Sequence, residues 1–269
     1  MKSRLPLVLA VTALLVAVPA STAAARTTIS MSGSTSVAPL AAKLAKGYLK
    51  RHPHAATFRL AQGGSDVGVA DVGAGRVTIG NSSRDPKSSD PGGIVWNRIA
   101  RDAICIGTNP QNSVSGLTQA QVQAIFSGSV RDWSQVPGST VSGPIDLVVR
   151  TAASGTQDAF QKIFMGSAKV SSSAAQKASN GLVAQAVKSD PNAVGYMSLA
   201  FTKGLNDARY KGVACDLRNA KSGQYEGVRN FWMVTRGRPT GGALKFIRWI
   251  QRSKAAHRIT ATGWVPIRG

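Results

Sequence analysis

The chain has 269 residues, a formal charge of +21 from 33 Lys or Arg against 12 Asp or Glu, and only three histidines and two cysteines. That length accommodates one sizeable core or two lobes, and so few histidines and cysteines leave no clear set of four metal ligands. The basic residues look scattered along the sequence and are not interleaved with aromatics as in a nucleic-acid stacking platform. The expectation is a solvated basic surface that raises the local concentration of small anions and no nucleic-acid partner.

Residues 1–25 read as a secretory signal peptide. Lys2 and Arg4 precede an apolar run from Leu5 to Val18, and Ala23-Ala24-Ala25 offers small residues for cleavage before Arg26. No cysteine lies near that junction to carry a lipid, and no later segment is apolar enough to span a bilayer. A periplasmic or secreted protein is therefore expected. That compartment permits a bridge between Cys105 and Cys215, although each lies in an apolar stretch where a buried free thiol is the alternative.

Thr27 to Met31 alternates as a strand, Gly33-Ser34-Thr35-Ser36 forms a polar loop, and Leu40, Leu44 and Tyr48 mark a helix to about Arg51 with Pro39 in its first turn. The same order returns with strand Phe58–Leu60, loop Gln62-Gly63-Gly64-Ser65, and a helix from Asp66 to Ala74. A strand over Val77–Ile79 then ends in Gly80-Asn81-Ser82-Ser83-Arg84. Ala103–Gly107 is a buried strand, and Leu117 opens a helix through Phe126. Trp133 belongs to a packed loop.

Ile145–Val149 is a buried strand running into Arg150-Thr151-Ala152-Ala153-Ser154-Gly155-Thr156, followed by a helix carrying Phe160, Ile163 and Phe164. Ser154 with Gln157 has the pattern of a capping box. Gly155 and Thr156 thus offer N–H groups at the positive end of a helix, and Arg150 adds a forked cation; together they read either as an anion site or as an ordinary capped helix with an unrelated arginine nearby. Further on come a helix through Leu182 and Val187, a strand over 193–197, a buried strand over 231–234 and a last helix using Leu244 to Ile250.

Strands alternating with helices predict an α/β fold with mostly parallel sheets, and the Ser/Thr clusters fall at strand carboxyl ends, where such folds bind ligands. The buried strands near 103–107 and 231–235 bracket a middle segment of domain size. This predicts two lobes joined by hinge strands, 26–107 with 236–269 as lobe I and 108–235 as lobe II. Catalysis is poorly supplied: His52 and His54 flank Pro53 in an exposed loop, and no nucleophile elbow, P-loop or H-E-x-x-H motif occurs. Hydroxyls, glycines and one arginine around helix starts suit binding without turnover, and no cofactor is implied.

These residues resemble the phosphate-binding proteins of bacterial ABC transporters, the PstS family, over essentially the whole mature chain. The resemblance is carried by Gly33-Ser34-Thr35-Ser36-Val37-Ala38-Pro39-Leu40, Gly63-Gly64-Ser65, Asn81-Ser82-Ser83-Arg84, Arg150 with Ser154-Gly155-Thr156, and Val194-Gly195-Tyr196. It implies a two-lobed periplasmic-binding-protein fold of type II, a monomer that takes phosphate between its lobes for a membrane ABC permease. It also implies a site of Thr35, Ser36, Ser65, Ser83, Arg150, Ser154, Gly155 and Thr156.

Two departures stand out. Ser83 occupies a position where many members carry an aspartate that accepts the proton of hydrogen phosphate, so discrimination against sulfate is weaker here. Asp66 replaces a common glycine and is either a first-turn helix charge or a substitute acceptor. Rival readings are a binder of sulfate or molybdate on the same fold, a basic secreted adhesion or scavenging protein, and, with least support, a phosphate-ester hydrolase.

Overall fold

The alternating strand at the start of the mature chain pairs in parallel with two others. In the computed structural model, which describes residues 26–267, β1 (Thr27–Gly33) lies between β2 (Ala56–Leu60) and β3 (Ile79–Ser82), parallel to both. The expected signal segment, residues 1–25, lies outside the described residues. Parallel neighbours need crossover connections, and α1 (Ala38–Arg51) and α2 (Ser65–Gly73) supply them. Consequently the chain leaves β1, β2 and β3 at one edge of the sheet, which is where the polar loops gather. β3 starts two residues later than the periodicity suggests, so Asn81 and Ser82 belong to the strand itself.

β4 (Ile94–Thr108) is far longer than the buried run at 103–107 predicts. Its first part pairs antiparallel with β10 (Val228–Arg236), and its last part with β8 (Ala193–Ser198) and β9 (Asn206–Tyr210). Between them run β5 (Gly116–Leu117), α3 (Gln119–Ser127), β6 (Asp146–Arg150), α4 (Gly155–Phe160), β7 (Ala175–Lys177), α5 (Asn180–Ser189) and α6 (Leu217–Ser222). α4 continues as a wide π turn over Gln161–Met165. β6 is parallel to β7 and β8, so the second lobe repeats the parallel theme of the first. The strand order is β2-β1-β3-β10-β4-β8-β6-β7. β4 and β10 are therefore the paired strands through which the lobes are joined.

The chain closes with α7 (Gly241–Arg252), α8 (Lys254–Thr260) and β11 (Val265–Pro266). The sequence suggests a single last helix; Ser253 divides it, with extended backbone and a hydroxyl accepting the Ala255 N–H at 3.2 Å. One core gathers Ile29, Leu40, Tyr48, Ile99, Phe231, Met233, Phe246 and Ile250, drawing on both ends of the chain. A second gathers Ile104, Ile106, Phe126, Trp133, Phe160, Tyr196 and Tyr225. Phe231 and Met233 thus pack in the first core although the sequence suggests the second lobe. Cys105 on β4 and Cys215 ahead of α6 form a disulfide across 110 residues of sequence.

Candidate functional site

Each loop at a strand end delivers hydroxyl groups to one buried place. Ser34 orders the turn that leads into α1: its Oγ accepts from the N–H groups of Ser36 (3.3 Å) and Val37 (3.4 Å) and donates to Ser83 Oγ (2.8 Å). Ser65 Oγ, at the start of α2, accepts the Ser83 N–H at 3.0 Å and lies 3.3 Å from Ser83 Oγ. Ser34, Thr35, Ser36, Ser65 and Ser83 are all buried, which largely withdraws their hydroxyls from bulk water.

The second lobe meets them with α4. Ser154 Oγ accepts from the N–H groups of Thr156 (3.1 Å) and Gln157 (3.4 Å), which forms half of the expected capping box. The other half is absent because the Gln157 side chain accepts a hydrogen bond from the Tyr196 hydroxyl instead. Thr156 Oγ1 lies 3.0 Å from Ser36 Oγ, and the Asp66 N–H donates to Ala153 O at 3.1 Å. Two glycines allow this approach. A Cβ on Gly64, whose φ is +101°, would sit 2.6 Å from Ala153 O, and one on Gly155 would sit 2.3 Å from Ser65 Oγ and 2.9 Å from Arg84 N.

Arg150 ends β6 and is buried beside Thr156. Its Nε donates to Lys177 O (3.1 Å), Nη2 to Ala178 O (2.8 Å) and Nη1 to Thr156 Oγ1 (3.4 Å). None of these partners is a carboxylate. Burial, joined by the like charge of Arg229, pulls its pKa down to about 10. The guanidinium is still charged at neutral pH and lacks a counter-ion among the described residues.

Sequence reasoning misses four members of this cluster, Arg229, Asp102, Ser198 and Asn180. Arg229, on β10, donates from Nη2 to Ser36 Oγ (2.9 Å) and lies 3.4 Å from Ser83 Oγ through Nη1. Its Nε and Nη2 also hold Asp102 Oδ2, at 3.1 and 2.8 Å. Ser198 donates to the other carboxylate oxygen at 2.8 Å. Burial pushes the Asp102 carboxyl up, while Arg229 and Ser198 pull against it. Asn180, opening α5, donates to Thr35 Oγ1 (2.9 Å) and Ser36 Oγ (2.8 Å), and its Oδ1 accepts the Ser198 N–H. The one sequence signal for the ion pair is a charged residue at the head of each buried hinge-strand run, Arg101-Asp102-Ala103 and Val228-Arg229-Asn230. Only the strand register, Arg229 opposite Asp102, reveals that they meet.

Asp66 stands in the first turn of α2, where its carboxylate pairs with Arg84 Nε at 2.5 Å, with Lys87 Nζ at 3.8 Å. Arg84 is held as well by Asp90 at 2.6 Å. Lys87 further bridges the lobes to Asp158 at 3.0 Å. His54 is exposed and bonded to Arg26.

Two α/β lobes joined by paired hinge strands, with buried donors from both meeting in the cleft, define a solute-binding protein of the periplasmic-binding type. A family model described as the PBP superfamily domain matches residues 18–254, and the chain belongs to that superfamily. Among curated relatives, the phosphate-binding protein PstS of Bacillus subtilis (strain 168) is 26% identical over 248 residues, covering 89% of this chain and 80% of the relative. A Clostridium perfringens substrate-binding protein crystallised with bound phosphate superposes with a TM-score of 0.84 at 28% identity, covering 90% of this chain and 100% of that one. An ABC-type phosphate transport receptor from Vibrio cholerae gives 0.71 at 26% identity, over 89% of this chain and 100% of the other.

Proposed function

We propose that this protein captures inorganic phosphate between its lobes and hands it to a membrane ABC permease. The observation that carries the reading is Arg150: a buried guanidinium with no carboxylate partner, beside a second buried arginine, in a ring of hydroxyls. Two cations against the single carboxylate of Asp102 leave an excess of positive charge, and burying unmatched charge is costly unless an anion completes the site. The names of the B. subtilis, C. perfringens and V. cholerae relatives supply the same anion for those proteins.

In this reading Thr35, Ser36, Ser65 and Ser83 donate from lobe I, and Arg150, Ser154, Gly155 and Thr156 close from lobe II. Arg229, with Asn180, completes the shell. Lobe I comprises the stretches before β4 and after β10 and lobe II the stretch between them, with β4 and β10 crossing between the two cores. The protein is exported by its N-terminal segment, acts as a monomer, performs no chemistry on its ligand and does not engage nucleic acid. Calorimetry of the mature protein with phosphate, sulfate and molybdate tests this. Heat with phosphate that disappears in Arg150→Ala supports it, and no heat with any of the three overturns it.

A second reading keeps the fold and exchanges the anion for sulfate. It is favoured by the hydrogen bonding of Ser83, whose Oγ already accepts from Ser34 and lies within reach of Arg229, so that its own proton points onward as a donor. Asp102 spends both oxygens on Arg229 and Ser198. With its one carboxylate so engaged, the site selects mainly by charge and shape. Competition between phosphate and sulfate at pH values on both sides of the second phosphate ionisation separates the readings, since only phosphate changes charge there.

A further inference from the structure

The sequence reading of the basic residues as scattered does not survive folding. No Asp or Glu occurs in residues 26–65 or 227–269, and the helices of these two stretches, α1, α7 and α8, pack against one another. Their apolar residues, Leu40, Leu44 and Tyr48 from α1 and Phe246, Ile247 and Ile250 from α7, enter the same core on one side of the first-lobe sheet. Tyr48 meets Trp249 with ring centroids 5.4 Å apart, and a Cβ on Gly47 would sit 2.3 Å from Ile259 Cδ1, so the helices lie close.

The opposite faces are cationic. Lys43, Lys46 and Lys50 recur at i, i+3 and i+7 on α1; Lys245, Arg248 and Arg252 repeat that spacing on α7; Lys254 and Arg258 stand at i and i+4 on α8. Such spacings place each set on a single stripe. All eight are exposed, and none forms an ion pair among the described residues. The carboxylate carried by the strands beneath these helices is Asp102, buried and engaged by Arg229. By contrast, six of the ion pairs formed elsewhere gather around Asp66, Asp71, Asp90 and Asp158, on the α2 and α4 side of the molecule.

We propose that this three-helix face is a docking surface for an anionic lipid bilayer. The observations favour a membrane over a linear polyanion because the cations form a broad array spread across three adjacent helices and not a single line. The large exposed apolar residues, Leu60, Val67 and Leu182, lie outside these helices, so attachment is electrostatic and does not require insertion. Each Lys or Arg held near such a surface multiplies the partition about fivefold, within a Debye length. This surface does not depend on the anion cleft, and its failure leaves the phosphate reading intact.

The test is cosedimentation of the mature protein, saturated with phosphate, with phosphatidylglycerol–phosphatidylcholine vesicles and with pure phosphatidylcholine vesicles. Binding is expected to the first only, at about 0.1 M salt, and to disappear at about 1 M. The variant K46E/K50E/R248E/R252E should lose at least about tenfold in partition. The control K169E/K203E/R218E/K221E, which makes the same charge change on exposed second-lobe residues, should lose far less. Unchanged phosphate affinity in both variants shows that they fold. Absence of binding to the anionic vesicles overturns the proposal. So does equal loss in the two variants, which means net charge acts without a face. Tighter face-dependent binding to soluble polyphosphate than to vesicles also overturns it, in favour of a polymer partner.

Discussion

Gly155→Ala is the sharpest perturbation of the closed cleft. Gly155 opens α4, where alanine suits the backbone better than glycine, so the second lobe should fold at least as well. The obstacle is on the other lobe: the new methyl would lie 2.3 Å from Ser65 Oγ, 2.8 Å from Ser83 Oγ and 2.9 Å from Arg84 N, all below 3.0 Å, which real Cβ atoms essentially never reach. A hydroxyl can swing aside, but the Arg84 N–H is backbone at the end of β3 and cannot. The lobes must therefore stop short of closure, and the donors Arg150 and Thr156 stay too far from an anion held by lobe I. Hydrogen bonds to a charged group contribute about 1.5–3 kcal/mol each, and weakening two of them lowers affinity by about 10²-fold or more. Calorimetry should show that loss for phosphate, small-angle scattering should show no compaction on adding it, and the melting temperature without ligand should be unchanged. An alanine variant that binds within about threefold of the parent and compacts normally would refute the closure argument.

Arg229→Met should lower stability by about 3–5 kcal/mol in denaturant titration, because Asp102 is left buried without its cation. Arg229→Met/Asp102→Leu should recover most of that stability while leaving phosphate affinity low, and recovery of both would remove Arg229 from the anion site. Ser83→Asp places a carboxylate acceptor among the hydroxyls and should raise the phosphate-to-sulfate affinity ratio about tenfold in competition calorimetry; an unchanged ratio refutes it. Asp207 carries the pH dependence: burial raises its pKa to about 6, and its Oδ1 has no hydrogen-bond partner. The folded state holds this proton more tightly than the unfolded chain, so stability falls as pH rises from about 4 through 6. Asp207→Asn should then gain about 1–2 kcal/mol at pH 7 after discounting for partial exposure, and nothing at pH 4.

Much of the first lobe and most of the cleft are visible in the sequence because both rest on local chemistry. Pro39 in a first turn, Ser154 as a cap, and Ser/Thr loops at the ends of β-branched runs follow from backbone hydrogen bonding over a few residues. Thr35, Ser36, Ser65, Ser83, Arg150, Ser154, Gly155 and Thr156 lie in such loops, the family resemblance singles them out as a site, and the structure brings them into one buried cluster. Features that depend on which strand lies beside which are a different matter. β4 has mixed polarity over Ile94–Asp102 because it is partly covered there, so its period is blurred and only its fully buried end announces a strand.

The sequence by itself determined the α/β alternation, the position of the polar loops at strand ends and the surplus of positive charge. These follow from periodicity, capping and composition, which act within a few residues or need no structure at all. Only the tertiary structure decided that Arg229 and Asp102 face each other across the hinge strands, that Asp66 belongs to Arg84, and that cations from both ends of the chain share one surface. Each of those pairings joins residues distant in sequence, and the register and packing that unite them are set by the burial of whole faces.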